Sequence, residues 1–481
     1  MKIELDWTRQ HFGIESVDEP AGAAAAAVVL PRRIFLTPDL TQLGCVDEEP
    51  SSKDWPCESG SGTLPTNPKP KELILSAVCT IEEGFFLACV PHRSANMSGA
   101  ENQRLPLKEK FELMPETLGG QFRKDFPPYL DGLVKSFPHR YVTTPEFAKN
   151  AEDVYNLSPR PDDVYISTFP KCGTTWVQEL VWMVVNDCDF EKGKKEQLSI
   201  RSPFLEMNYM LPIKLAEKFE KEAICRKANS PLVDKIMELL CYWNLMDWLR
   251  PFIRKAISLV LGDCLRDLEQ IDQMAGPRII KSHLPLYLLN PQVLSTSKVV
   301  YVARNPKDVI VSYYHYHRLL EFHHYTGNLE AFADYFMTDR VYSAPFFPHL
   351  LDAWNKRHHP NLHFVFYEDL KRNLRGEIVK ISQFLGKKLS DDQLTKLTEH
   401  LRFDNFAKNE TVNCEIGKEI GLMNNSGHFI RKGKTGDWKN HFSPELNERI
   451  DEWMRKNLEG TDLRGVQCTI AISRQNCLFN D

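Results

Sequence analysis

Four short clusters in this chain combine cationic residues with hydroxyl residues and, in two of them, glycines, in patterns that suit anion chemistry. The first runs Thr168-Phe169-Pro170-Lys171-Cys172-Gly173-Thr174-Thr175-Trp176, between an apolar β-rich run and a helical period through Val177, Leu180, Val181 and Val184. A strand, a tight loop and a helix start make an anion-binding geometry. Backbone N–H groups at the helix N-terminus and the helix dipole face the ligand, Gly173 permits close approach, Thr174 and Thr175 offer hydroxyls and Lys171 adds a full charge. A Walker A loop needs G-x-x-x-x-G-K-[ST], which is not present here, so a conventional ATPase or kinase is disfavoured. The second cluster is Arg304-Asn305-Pro306-Lys307-Asp308 continuing to Ser312-Tyr313-Tyr314. Pro306 suits a first helical turn, and Arg304 and Ser312 reach one side if the chain turns between them. The third, Arg431-Lys432-Gly433-Lys434-Thr435-Gly436-Asp437-Trp438-Lys439, sets glycines among cations and reads alone as either a phosphate-wrapping loop or a solvated basic turn. The fourth is Lys281-Ser282-His283-Leu284-Pro285. A single histidine is more often structural than catalytic, yet a neutral imidazole at a strand end can accept a proton from a hydroxyl near pH 7.

The elements that must position these clusters are strands. Candidate strands are 163–168, 278–282, 298–303 and 362–367, each followed by a polar or basic cluster and, in several cases, by a helical period. That alternation predicts a parallel sheet with helical crossovers, whose ligands bind beyond the carboxyl ends of the strands. Residues 1–104 read as poorly ordered, with an alanine run and Ser, Gly, Pro and Lys patches, although residues 73–90 form an apolar segment. The stretch 208–274 reads as a helical insertion, either packed on the sheet edge or lying as a lid over an apolar pocket; residues 239–265 carry its amphipathic pattern.

With 481 residues, 42% hydrophobic and 26% charged, the chain has an ordinary globular composition. A formal net charge of -5 gives no reason to expect nucleic acid or an anionic membrane as partner. No apolar run is long enough to span a bilayer, and Ala23 to Leu30 follows Asp18 and Glu19 instead of a basic stretch, so the expected location is the cytoplasm. The twelve cysteines show no C-x-x-C pair, and Cys45, Cys57, Cys79 and Cys89 are expected as thiols; no metal site is expected.

The four clusters together resemble the cytosolic sulfotransferase family. Its loop [TS]-[YF]-P-K-x-G-T-T-W matches the first, R-[ND]-x-K-D-x-x-x-S-x-Y the second, R-K-G-x-x-G-D-W-K the third and K-[ST]-H-L-P the fourth. The similarity covers residues 105–464, about three quarters of the chain, with a tail over 465–481 beyond the family's usual end. It implies an α/β single domain with a central parallel sheet flanked by helices, a P-loop-like fold that binds 3′-phosphoadenosine 5′-phosphosulfate (PAPS). The implied reaction moves the sulfuryl group to a hydroxyl or amine of a small acceptor and leaves 3′-phosphoadenosine 5′-phosphate (PAP).

By the same resemblance, His283 is the general base, Lys171 stabilises charge at the departing phosphate, Lys281 holds the transferring oxygens and Ser312 tunes Lys171. Residues 171–176 (Lys171, Cys172, Gly173, Thr174, Thr175, Trp176) hold the 5′ end; Arg304, Ser312, Arg431, Lys432 and Gly433 hold the 3′-phosphate. Trp176, Tyr367 and Phe403 contact adenine. The family context gives His315, His317, His323 and His324 a surface or acceptor-facing role. Phenols, alcohols, steroids and amines remain open as acceptors. Residues 203–206 and the long insertion resemble arthropod members, and some relatives run dehydration through a sulfated intermediate. The segment 439–444 departs from the family's K-x-x-F-T-V dimer contact, which leaves a homodimer open. Rival readings are a silent nucleotide-binding protein, disfavoured by Lys171 with His283; an adenylate-type kinase, which would need lysine where Thr174 stands; and a Golgi-type sulfotransferase, which would need a membrane anchor.

Overall fold

The computed structural model describes residues 104–210, 266–419 and 421–463. The expectations for residues 1–103, for 211–265 (most of the insertion, including 239–265) and for 464–481 lie outside these, as do those for Cys45, Cys57, Cys79 and Cys89.

Among the described residues, seven strands form two sheets. β1 (Lys110–Leu113), β2 (Val134–Phe137) and β3 (Val142–Thr143) make an antiparallel sheet, which the sequence reading does not anticipate. β4 (Val164–Thr168), β5 (Ile279–Ser282), β6 (Lys298–Ala303) and β7 (Leu362–Phe366) make the expected parallel sheet, in the order β5-β4-β6-β7. β4 is central, buried at every residue and rich in β-branched and aromatic side chains.

Three strand ends differ from the sequence reading. Asp163 and Arg278 stand just before β4 and β5, where burial of two charges demands pairing: Arg278 donates to both carboxylate oxygens of Asp163 at 2.6 and 2.8 Å. Tyr367 leaves β7 to start the short helix Tyr367–Arg372, which turns its ring out of the sheet.

Eight helices of two turns or more are present among the described residues: α1 (Pro145–Tyr155), α2 (Thr174–Val185), α3 (Pro306–Leu319), α4 (Leu329–Met337), α5 (Phe346–Asn355), α6 (Leu374–Phe384), α7 (Asp391–His400) and α8 (Pro444–Leu458). The period of two along the strands divides the core between the sheet's faces. Ile166, Val300 and Val302 cluster with Val177, Leu180 and Val181 of α2 and with Ile378 and Ile381 of α6. Tyr165, Val299 and Tyr301 cluster with Val309 and Ile310 of α3, Leu350 of α5 and Ile450 of α8.

The winding sets the position of the site. From β4 the chain goes to β5 on one side, then to β6 on the other, so the crevice at the carboxyl end of β4 is a topological switch point. The loops after β4, β5 and β6 all open there.

Candidate functional site

The loop after β4 is fixed by backbone conformations that its residues bring at different cost. Gly173 caps α2 with φ of 106°, and a Cβ there would lie 2.6 Å from the Tyr367 ring, so only glycine fits. Lys171 has φ of 66°, a conformation uncommon for a side-chain-bearing residue. Arg304, at the end of β6, donates to the Lys171 carbonyl at 3.1 Å and holds that turn in place. Thr168 and Thr174 hydroxyls meet at 2.6 Å, tying the strand end to the helix start.

Lys171 is half-buried, its ammonium 4.1 Å from the Phe429 ring centre and 4.6 Å from that of Tyr316. Burial, with repulsion from Lys281, pushes its pKa down to about 7. Lys281, also lowered by burial, sits 4.0 Å over the Phe204 ring.

Arg304 joins two loops. Besides Lys171 it donates to the Lys434 carbonyl at 3.1 Å and stacks 4.4 Å over Tyr367. Its Nε is buried without a partner, an unmet donor in a residue that lines the cleft.

The 431–439 loop is held by two carboxylates. Asp308 on α3 accepts the N–H of Gly436 at 2.7 Å and of Trp438 at 3.2 Å. Asp437 accepts from Arg431 at 2.7 Å and Lys432 at 3.0 Å; against the effect of burial, these bonds hold its carboxyl below the usual range. Gly433 has φ of 59°, and a Cβ there would fall 2.1 Å from the Phe403 ring.

His283 follows β5 and is buried. Its Nδ1 lies 2.9 Å from the Thr168 carbonyl oxygen, which can only accept, so Nδ1 carries the proton and Nε2 is left with its lone pair. Burial, then the charge of Lys281, holds the ring well below its usual pKa, hence neutral at pH 7. His349 donates from Nε2 to the His283 carbonyl at 3.0 Å.

One cleft, partly open to solvent, brings these groups together. It is lined by Lys171, Gly173, Thr174, Thr175, Trp176, Lys281, His283, Arg304, Ser312, Tyr367, Phe403, Arg431, Lys432 and Gly433, all expected from the sequence. Cys172 differs: its side chain packs in the core, where burial raises its pKa, so the thiol does not line the cleft. His317 and His323 are not at the surface; they stack at 4.0 Å in the interior, and of the four histidines only His324 is well exposed, paired with Glu321.

Several lining residues escaped the sequence reading. Tyr316 and Phe429 sandwich Lys171, and Lys371 lies 5.5 Å from the Trp176 ring centre and 5.7 Å from that of Phe403. Apolar residues look like core, and one lysine on a polar helix carries no signal. Glu206 is buried and accepts the His283 N–H; its only trace in the sequence is the 203–206 run.

The arrangement suits a polyanion with an aromatic base. Lys171, Lys281, Arg304, Arg431 and Lys432 supply charge, and the unmet Arg304 Nε is a donor for a phosphate oxygen, while Gly173 and Gly433 let the Tyr367 and Phe403 rings close against the two loops. Trp176 and Tyr367, 5.6 Å apart edge to face, stand with Phe403 at an aromatic end suited to a purine.

Comparison with known proteins agrees with this chemistry. Residues 161–462 match the family model described as Sulfotransferase domain. Sulfotransferase 1B1 of Canis lupus familiaris is 32% identical over 327 residues, 68% of this chain and 93% of that protein. Human sulfotransferase 1E1 is 31% identical over 327 residues, 68% of this chain and 94% of its own length. Among solved structures, retinol dehydratase in complex with retinol and PAP shares 34% identity over 75% of this chain and 99% of that one, with a TM-score of 0.63. The same figures hold for its complex with androsterone and PAP.

Proposed function

The chain belongs to the sulfotransferase family, and from that premise we propose that it transfers a sulfuryl group from PAPS to a hydroxyl or amine of a small acceptor, with His283 as general base. The observation that carries the base assignment is the Nδ1 bond to the Thr168 carbonyl, which leaves Nε2 free in the cleft that also holds Lys171 and Lys281.

The site's own residues divide the work. Arg304, Ser312, Arg431, Lys432 and Gly433 hold the 3′-phosphate; the loop from Lys171 to Thr175 holds the 5′ end; Trp176, Tyr367 and Phe403 flank the adenine. Bound there, PAPS supplies the sulfuryl group, its S–O bond to phosphate breaking as the acceptor's bond to sulfur forms. His283 Nε2 takes the acceptor's proton, and the resulting imidazolium keeps its Nδ1–H on Thr168. Lys171 and Lys281 stabilise the anionic oxygens; in a buried site such charge stabilisation is worth far more than in water. Anionic oxygens beside Lys171 also favour its charged form, offsetting the burial and the neighbouring cations that lower its pKa.

The solved relative favours small apolar alcohols as acceptors: it is bound to retinol in one complex and to androsterone in the other. Among the described residues no helix is long and apolar enough to cross a membrane, and the net charge of -5 favours neither a membrane surface nor nucleic acid; a cytoplasmic location is part of the proposal.

The likeness to retinol dehydratase favours a second outcome for acceptors with an allylic hydroxyl: the sulfate ester formed first loses hydrogen sulfate to give the dehydrated product. Incubation of the protein with PAPS and a panel of phenols, sterols, alkanols, amines and retinoids, read by mass spectrometry, distinguishes them. A sulfated product supports transfer, and an alkene with free sulfate supports dehydration. PAP bound tightly with no product from any acceptor would contradict both.

A further inference from the structure

Glu206 is a buried carboxyl group that the transfer reaction does not use directly. Residues 203–205 lie along the outer edge of β5: the Lys281 N–H donates to the Pro203 carbonyl and the Leu205 N–H to the Lys281 carbonyl, each at 2.9 Å. That parallel bridge delivers Glu206 to the turn where the chain leaves β5. There its Oε1 accepts the main-chain N–H of His283, and its Oε2 accepts the Ser282 hydroxyl at 2.9 Å. The Ser282 oxygen in turn accepts the Leu284 N–H at 3.0 Å. Both carboxylate oxygens are therefore committed to Ser282 and His283, at the turn that carries the imidazole.

We propose that Glu206 is a positioning residue for this reaction: it fixes the main chain of His283 at the end of β5 so that the ring keeps its bond to Thr168 and presents Nε2 to the acceptor. The proposal rests on the reading of His283 as the base. The placement of the carboxylate argues against a simple stabilising role, because it is fully buried and burial raises its pKa to about 7. A leucine of similar bulk would fill that space without the desolvation cost. What a leucine lacks is the pair of acceptors at the His283 turn. His349 contributes from the opposite side, donating to the His283 carbonyl, so the peptide groups on both sides of the residue are anchored. Phe204 closes the arrangement, its ring 5.0 Å from the imidazole and edge to face.

The test compares Glu206→Gln, Ser282→Ala and His283→Ala in the full chain, measuring kcat and KM for PAPS and the calorimetric affinity for PAP. Glu206→Gln keeps one acceptor oxygen but replaces the other with an amide that cannot receive the Ser282 hydroxyl. A displaced base costs turnover and not nucleotide binding, so kcat is expected to fall about ten- to a hundredfold, with KM for PAPS and PAP affinity unchanged. Ser282→Ala, which removes one of the two donors, should give a smaller fall in kcat with the same unchanged binding, and it decides the matter if Glu206→Gln does not fold. Turnover of both variants equal to the parent's while His283→Ala is inactive would overturn the positioning role and leave the base reading intact. A parallel loss of PAP affinity and kcat would overturn it too, by making Glu206 a support for the whole site. Activity retained in His283→Ala would instead bring down the base reading, and this proposal with it.

Discussion

His283 Nδ1 stands 2.9 Å from the carbonyl oxygen of Thr168, so the end of one central strand sets the tautomer of the residue that follows its neighbour. β4 and β5 pair in parallel register, Ser167 opposite Ser282, which brings Thr168 and His283 side by side one step later. The sheet itself therefore orients the imidazole proposed as the base.

The second consequence of that sheet end is a cluster of cations at the nucleotide-binding face. Replacing Arg304 or Arg431 by alanine is expected to weaken PAP binding by about 1.5–3 kcal/mol each, roughly ten- to a hundredfold in dissociation constant. Isothermal titration calorimetry reads this directly. Affinity within twofold of the parent for both variants would remove them from the 3′-phosphate site.

Gly433→Ala tests the cradle. The new methyl would meet the Phe403 ring at 2.1 Å in a backbone with φ of 59°. The variant should lose more than about 1 kcal/mol of stability and most of its PAP affinity. A parent-like melting temperature together with parent-like binding would contradict the geometry of that loop.

Lys171 gives a pH dependence. Its folded pKa is lowered to about 7, chiefly by burial and by Lys281, so in the free protein it loses its proton as pH rises through 7. A bound polyanion favours the charged form, so PAP affinity should decrease as pH rises above about 7 and binding near neutrality should take up protons. Titration in buffers of different ionisation enthalpy measures the uptake; its absence in the parent, or its persistence in Lys171→Met, would contradict the assignment.

Much of the site was legible in the sequence because its chemistry needs particular residue types. Glycines at 173 and 433 answer to positive φ and close contact, and the cations at 171, 304 and 431 follow strand ends or a turn. What escaped lies in residues whose role depends on tertiary contact. Glu206 is one carboxylate in an apolar run, and nothing in its neighbours predicts pairing across the β5 edge. Tyr316 and Phe429 have the composition of core, and only the fold lays Lys171 between them. The β1–β3 sheet has strands of two to four residues, too short for a period to register. The buried stack of His317 on His323 has no periodic signature, because His317 lies on α3 and His323 in the turns that follow it.

Those histidines predict acid sensitivity. His283, His317, His323 and His349 are all buried, and burial holds each below its usual pKa. The unfolded chain therefore takes up protons first, and stability present above pH 6.5 is lost as pH falls towards 4, by about 1.4 kcal/mol per histidine per pH unit. Melting temperatures between pH 8 and 4 should be flat above about 7 and fall below 6.5. A flat profile down to pH 5 would contradict the buried neutral state.

The most direct test of the account is a single-turnover transfer from labelled PAPS by the parent and by His283→Ala, with PAP affinity measured on both. The account predicts transfer by the parent to at least one hydroxyl or amine acceptor, loss of transfer in the variant and unchanged PAP binding. Parent-like transfer by His283→Ala would contradict it.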